Sequence, residues 1–446
     1  MNVQRRIARV SAVLLLLVLF SATFAACSIG QHDAHDVIFW TSLNDDIDMS
    51  AERQIVAAFE KAHPGMHVSI VSKPSLSTGD ATALITSARG GTPPDVYLVD
   101  RFAVSQFAAI GLLKNLQPFV NLDGGNLREN YLPFAWKEAS YQGQSYGLPM
   151  DTDARAMYYN KDLLRQAGID PSIFDPSHGP MAIDDVMKIA LKMDKTDSNG
   201  NYTELGLIPW GGQGSHATWG LNFGAKFFNQ QTCQVTPTEP AFERTFHYFQ
   251  QWAKELNYSR VDAFLATYQP PSAPPSQTPF FTGHLGLAID GNWNLSGIQH
   301  YAPNLNYGIT YLPVLHKGDP PFTWSGGFAL VMPTGARSSA DGWEFMKFMS
   351  GPVGQAIYTR VTDNLPTWKS LLKKQSLIPG NQRFFASMMS YSVSRPPLPI
   401  GAQYSDAMDT AQSSVLLGTA TPPQALQQVY ARLQPQIQQY CPLKIA

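Results

Sequence analysis

The sequence predicts an α/β protein divided into two or three lobes, and three observations carry that expectation. The chain has 446 residues, whereas a single hydrophobic core stops growing at roughly 250–300 residues, so the apolar surface must be shared among separate bodies. Hydrophobic residues make up 44% and charged residues 15%. That balance excludes a disordered chain, and 34 unperiodic Gly with 3 Cys exclude collagen-like and disulfide-dense scaffolds. From residue 36 onward, short β-branched runs alternate with stretches of helical periodicity, the pattern of a parallel-rich sheet with helices on both faces.

The amino terminus reads as an address. Arg5, Arg6 and Arg9 precede an apolar run from Val10 to Phe20, too short for the roughly 20 residues of a membrane span but suited to an export signal over residues 1–26. Ala25-Ala26-Cys27 resembles the lipobox of bacterial lipoproteins, with Phe24 where that pattern carries Leu. Cys27 is therefore the expected lipidation site, followed by a short linker over residues 27–35, and the body is expected to be tethered outside the cell. The alternative is ordinary cleavage nearby with Cys27 as a bystander thiol. Loss of the leader takes the formal charge from −2 to about −5. No basic run offers a face to nucleic acid. The remaining thiols, Cys233 and Cys441, either pair or stay free; their separation alone does not decide it.

Asp36 to Trp40 reads as a buried strand feeding the polar loop Thr41 to Asp48. Ile55, Val56, Phe59 and Ala62 follow at helical spacing, His63-Pro64-Gly65 stops that helix, and His67 to Val71 returns to strand alternation. A helix over Asp80 to Arg89 precedes a second buried strand that ends at Asp100. Ligands on such sheets sit beyond the carboxyl ends of the strands, which singles out the Thr41 to Asp48 loop and Asp100. Further helices are expected over Lys161 to Ala167 and Ile183 to Met193. The turn Asp194 to Gly200 mimics a calcium loop but lacks carboxylates at its first and twelfth positions. Tyr268 to Pro279, with five prolines, reads as an extended surface loop.

The local signatures of nucleotide hydrolysis, of the nucleophile elbow and of zinc chemistry are absent, and the His residues lack ligand spacing; no cofactor or metal is expected. Instead, Trp210, Trp219, Trp293 and Trp324 each stand beside Gly and hydrogen-bonding residues. An indole beside Gly can present its face to a pyranose while Asp, Asn and main-chain groups take the hydroxyls.

Phe39-Trp40 with Asn44-Asp45-Asp46, Gly91 to Val96, Gly147 to Asp151, Tyr158 to Leu163, Phe281 to Trp293, Gly326 to Leu330 and Trp343 to Met349 occur in an order that resembles the extracellular solute-binding proteins, family 1, of sugar-type ABC importers. The resemblance implies a two-lobed periplasmic-binding-protein fold, type II-like, closing by a hinge of three crossovers near Asp151 to Ala154, Phe322 to Gly327 and Leu365-Pro366. It implies lobes of 36–150 plus 327–364 and of 151–326 plus 365–446. It places sugar contacts at Trp40, Asn44, Asp45, Asp46, Asp151 and Trp293, with Trp219 and Tyr404 as further stacking rings. Asp100, Trp324 and Gly326 join the expected site from the strand-end and aromatic readings above. The implied function is extracytoplasmic capture of a carbohydrate, a di- or oligosaccharide, by a monomer that delivers it to an ABC permease. A phosphorylated polyol is the other ligand class, which the acidic charge argues against. An exported carbohydrate-active enzyme is the competing function, since paired carboxylates leave no spacing to read.

Overall fold

The computed structural model describes residues 35–74 and 79–445. The expected leader and Cys27 lie outside the described residues. Two five-stranded sheets organise the chain. The first runs His67–Ser72, Asp36–Thr41, Val96–Asp100, Phe328–Val331, Gly147–Pro149 in spatial order, and the second runs Tyr307–Thr310, Arg155–Asn160, Leu285–Gly291, Tyr202–Leu207, Lys195–Thr196.

The alternation of side chains along a strand explains why each sheet has a core on both faces. Phe39 and Leu98 enter one apolar cluster with Phe59, Phe345 and Met346, while Trp40, Tyr97 and Val99 enter another with Phe107. In the second sheet, Met157 and Tyr159 face the cluster of Trp219 and Trp252, and Ala156 and Tyr158 face that of Leu365 and Phe385.

The sheets are more mixed than the expected parallel-rich arrangement. Asp36–Thr41 pairs in parallel with both its neighbours, but Phe328–Val331 runs antiparallel to Val96–Asp100. In the second sheet only Tyr202–Leu207 and Leu285–Gly291 are parallel, and Arg155–Asn160 runs against both of its partners. The physical reason lies in the crossovers. Arg155–Asn160 and Phe328–Val331 each begin where the chain arrives from the other lobe, so they run away from the junction that the parallel strands run toward.

At that junction the connecting segments pair with one another. Asp151–Thr152 is antiparallel to Leu365–Pro366, and Trp324–Ser325 is parallel to Val393–Ser394. The fully buried Asn292 ties two of them: its Oδ1 accepts from Ala154 N at 2.8 Å, and its Nδ2 donates to Asp363 O at 2.8 Å and to Asn364 Oδ1 at 3.2 Å. The Gly401–Leu416 helix packs on the core of the second sheet through Tyr404, Met408 and Ala411, and also against the Arg101–Ala109 helix of the first. There Gln106 Oε1 accepts from Ala402 N at 3.2 Å, and Ser105 Oγ donates to Pro397 O at 3.0 Å.

A disulfide joins Cys233 to Cys441 with Cα atoms 6.2 Å apart. The Asp194–Gly200 turn is closed by Asp197, whose carboxylate accepts from Asn199 N at 2.8 Å and Asn201 N at 2.9 Å. The proline-rich segment is folded rather than extended: after the Tyr258–Tyr268 helix it turns through a short 3-10 helix at Pro275–Gln277. No helix among the described residues is long and apolar enough to cross a membrane.

Candidate functional site

A cleft of about 450 Å³ opens between the two sheets. One wall comes from the loop after the first strand. Thr41 Oγ1 donates to the buried Glu52 at 2.6 Å and accepts from Leu43 N at 3.1 Å, which fixes the exit of the strand. Asp45 then caps the Asp46–Ala62 helix, accepting from Ile47 N at 3.1 Å and Asp48 N at 2.9 Å. Acids here complement the helix dipole. Asp48 also accepts from Tyr358 Oη at 2.7 Å, and burial, with Asp45 close by, pushes its carboxyl up to about 9.

The floor is a network of charge. Asp100 caps the Arg101–Ala109 helix through Phe102 N and receives Arg395 Nη2 at 2.7 Å. Arg395 Nε donates to the fully buried Glu138 at 3.3 Å, whose other oxygen accepts from Arg101 Nε at 3.1 Å. Arg101 also donates to the Asp151 and Gly326 carbonyls. A side chain at Gly327 would overlap that guanidinium, and φ there is +126°, so the position requires glycine. Asp151 Oδ1 accepts from Phe328 N at 2.6 Å, and burial pushes this carboxyl up to about 7. Asp153 holds Arg155 and accepts from Gly326 N at 2.6 Å.

The opposite wall is aromatic. Trp293, half-buried, lies against the Cα of Gly291, where any Cβ would overlap its ring. Phe281 and Tyr301 continue this wall, and Pro275 and Thr278 of the proline-rich segment edge it. The Arg155 guanidinium stands 3.5 Å from the Trp324 ring centroid and 5.3 Å from that of Trp293, between two indoles.

Of the residues expected from sequence, Asp45, Asp100, Asp151, Trp293 and Gly326 line this cleft together. Trp40 does not; as the penultimate residue of its strand it turns into the sheet's own core, edge-on to Tyr97 at 5.8 Å, with Lys73 Nζ 5.2 Å from its ring. Asn44 and Asp46 are exposed beside the cleft rather than in it. Trp219 is fully buried, donates from Nε1 to Pro209 O at 2.7 Å and packs 5.5 Å from Trp252. Tyr404 is 1% exposed against Phe227. Trp324 does not line the cleft and meets it through Arg155 and Arg395, whose guanidinium groups stand 3.5 and 5.3 Å from its ring centroid, with its Nε1 held by Thr218 Oγ1 at 2.8 Å. The glycines beside these rings serve packing: a Cβ on Gly220 would strike Phe242, so that glycine brings two helices together instead of freeing Trp219.

Sequence reasoning reached Asp48 only as the end of the Thr41 to Asp48 loop and missed Asp153, Arg155, Phe281, Tyr301 and Arg395. Arg155 carried a readable signal, a charge opening the strand Arg155–Asn160, which continues Ala-Met-Tyr-Tyr and is buried along its whole length. Arg395 had none, since its partners lie 257 and 295 positions away.

A family model for the bacterial extracellular solute-binding proteins matches residues 45–356. The chain belongs to that family. Among curated relatives of this solute-binding protein, the sn-glycerol-3-phosphate-binding periplasmic protein UgpB of Pectobacterium atrosepticum is 23% identical over 92% of this chain and 93% of its own. The galactooligosaccharide-binding protein of Bacillus subtilis is 22% identical over 95% and 96%. The solved structure of CpMnBP1 with mannobiose bound superimposes with a TM-score of 0.79 at 22% identity, covering 89% of this chain and 98% of that one. The likeness establishes the two-lobed α/β fold, and the junction of crossovers in this solute-binding protein is the cleft floor just described.

Proposed function

We propose that this solute-binding protein captures a neutral di- or oligosaccharide between its lobes and hands it, chemically intact, to an ABC permease. The observation that carries this reading is the half-buried Trp293 indole facing a cleft that carboxyl groups and the Asn294 and Asn364 amides also line. An indole offers an apolar face to a pyranose, and carboxylates accept its hydroxyl protons. Among the described residues, five carboxyl groups and two guanidinium groups line the cleft. Arg395 is satisfied by Asp100 and Glu138, and Arg155 by Asp153 and two indoles, so neither of these guanidinium groups stands ready for a phosphate. This favours a saccharide over glycerol 3-phosphate.

The floor carboxyls hold the crossovers: Asp151 takes Phe328 N–H and Asp153 takes Gly326 N–H. Groups so engaged suit positioning and closure rather than acid–base chemistry, which supports a non-catalytic receptor. Lobes of 36–150 plus 327–364 and of 151–326 plus 365–446 would close on the sugar, because only the closed form touches it from both sides. The receptor acts as a monomer outside the cytoplasm, anchored through acylated Cys27.

Titration of intrinsic fluorescence with neutral oligosaccharides and with glycerol 3-phosphate, followed by chromatography of the recovered ligand, tests the reading. Saturable quenching by a saccharide recovered unchanged is expected. Binding of glycerol 3-phosphate alone, or recovery of cleaved sugar, would overturn it.

A further inference from the structure

A second cavity, of about 130 Å³, lies behind the aromatic wall and shares Thr278, Phe281 and Asn294 with the cleft. Its depth is set by the proline-rich segment folding back onto the Leu285–Gly291 strand, a register fixed by His284 N and Leu285 N donating to Pro279 O at 2.8 and 3.1 Å. Much of its surface is apolar, from Leu265, Phe280, Leu285 and Ile289. Four polar side chains break that surface: Gln269, which is exposed to solvent, and three that each have unused hydrogen-bonding capacity. Asn294 is 8% exposed and its amide has no hydrogen-bond partner among the described residues. Thr278 Oγ1 is buried with no partner. The Asp290 carboxyl accepts a single hydrogen bond among the described residues, from Gly291 N at 2.8 Å.

Buried polar groups are ordinarily satisfied. Thr278 Oγ1 is sealed from solvent with no partner, and the Asn294 amide and the Asp290 carboxyl keep unused capacity beside it, so the hollow specifies what would complete them. The hollow is too small for a sugar ring: a cavity of about 150 Å³ holds a benzene, about six non-hydrogen atoms, against about eleven in a hexosyl unit. A substituent projecting from a ring held in the cleft fits. It must offer an N–H or O–H to Asp290, a carbonyl oxygen to Asn294 or Thr278, and an apolar end to Leu265 and Ile289.

We infer that this side cavity is a subsite for the acetamido group of an N-acetylated amino sugar, so that the solute carries at least one 2-acetamido-2-deoxyhexose unit. The amide N–H donates to Asp290, the carbonyl accepts from Asn294 and Thr278, and the methyl fills the apolar end. A hydroxyl in the same place would leave Asn294 or Thr278 open and the apolar end empty. The deoxy methyl of a 6-deoxyhexose would leave Asn294 and Thr278 without a partner and Asp290 with Gly291 N alone.

The inference rests on the cleft's being a saccharide site, and matched sugar pairs keep the two claims separable. Isothermal titration of the mature protein compares N,N′-diacetylchitobiose with cellobiose and N-acetyllactosamine with lactose. At least tenfold tighter binding of the acetylated member of one pair is expected. Leu265→Phe, which fills the hollow without touching the cleft, is expected to abolish that preference while leaving the weaker sugar's affinity within about twofold, and a melting curve verifies that it folds. Asp290→Asn is expected to reduce the preference without such bulk. Equal affinity within each pair, or a preference untouched by both variants, overturns the subsite and leaves the saccharide reading standing. Failure of every sugar to bind overturns both.

Discussion

Arg395 Nη2 donates to Asp100 Oδ1 at 2.7 Å, joining the segment that leads into the Gly401–Leu416 helix to the end of a strand in the first sheet. The same guanidinium serves the fully buried Glu138. Removing it by Arg395→Ala takes one of two guanidinium partners from Glu138, which keeps Arg101, and leaves the partly exposed Asp100 with the helix it caps. Loss of one partner from a buried polar group costs about 1–3 kcal/mol, and a loss in that range is expected from urea unfolding monitored by circular dichroism.

Trp293→Ala is expected to weaken saccharide binding by about 1–3 kcal/mol through lost stacking area, with little effect on stability because the ring is only half-buried. Gly291→Ala is expected to reproduce the defect by displacing the ring it supports. Sugar affinity by calorimetry for both variants checks this; an unchanged constant in the tryptophan variant removes Trp293 from the site.

Trp219→Ala makes the complementary case. The side chain is fully buried and its indole N–H is engaged, so the cavity left behind is expected to cost about 3–5 kcal/mol of stability. Sugar affinity of the folded fraction is expected to stay within about threefold of the parent protein. A selective loss of affinity at unchanged melting temperature would return Trp219 to the binding surface.

Stability is expected to fall as pH rises. Burial pushes Asp151 up to about 7 and Asp48 up to about 9. In the unfolded chain both titrate near the usual aspartate value of about 3.9. The folded form therefore holds protons that the unfolded form has released, and the associated stability is full below about pH 4 and is lost as pH climbs through about 7 and then about 9. Melting temperatures measured from about pH 5 to 9 should decline. Asp48→Asn, whose side-chain oxygen can still accept from Tyr358, should flatten the upper part of that decline. A rising profile over the same range contradicts the assignment.

Cys233 and Cys441 close a long loop. The oxidised protein is expected to show no free thiol at either position on denaturing, non-reducing titration. Cys441→Ser is expected to lose roughly 3–5 kcal/mol of stability in the chain-entropy account. Reactive thiols at both positions would show that the bridge does not form.

The fold was largely legible because period-two burial and helix stops are local. Asp36–Thr41 and Val96–Asp100 announce themselves in five or six residues, and Asp100 marks a cleft by ending its strand in a carboxylate. The candidate site was legible where a residue follows directly from a strand end, as with Asp45, or where the family resemblance marks the position, as with Asp151 and Trp293. It failed where ring orientation depends on partners distant in sequence. Trp219 and Trp293 stand in similar glycine-rich company, yet Gly220 packs against Phe242 and Gly291 supports an indole. Which glycine does which depends on tertiary neighbours that no window of sequence contains. Arg395 illustrates the same limit, for its role exists only once Asp100 and Glu138 have been brought to it.

The amide of Asn292 grips Ala154 on one side and Asp363 and Asn364 on the other. Two of the three straps between the lobes are thereby riveted together, so neither can twist without carrying its neighbour. For the proposed closure, that pin favours a swing over a slide, so that a bound solute would meet jaws guided along one arc.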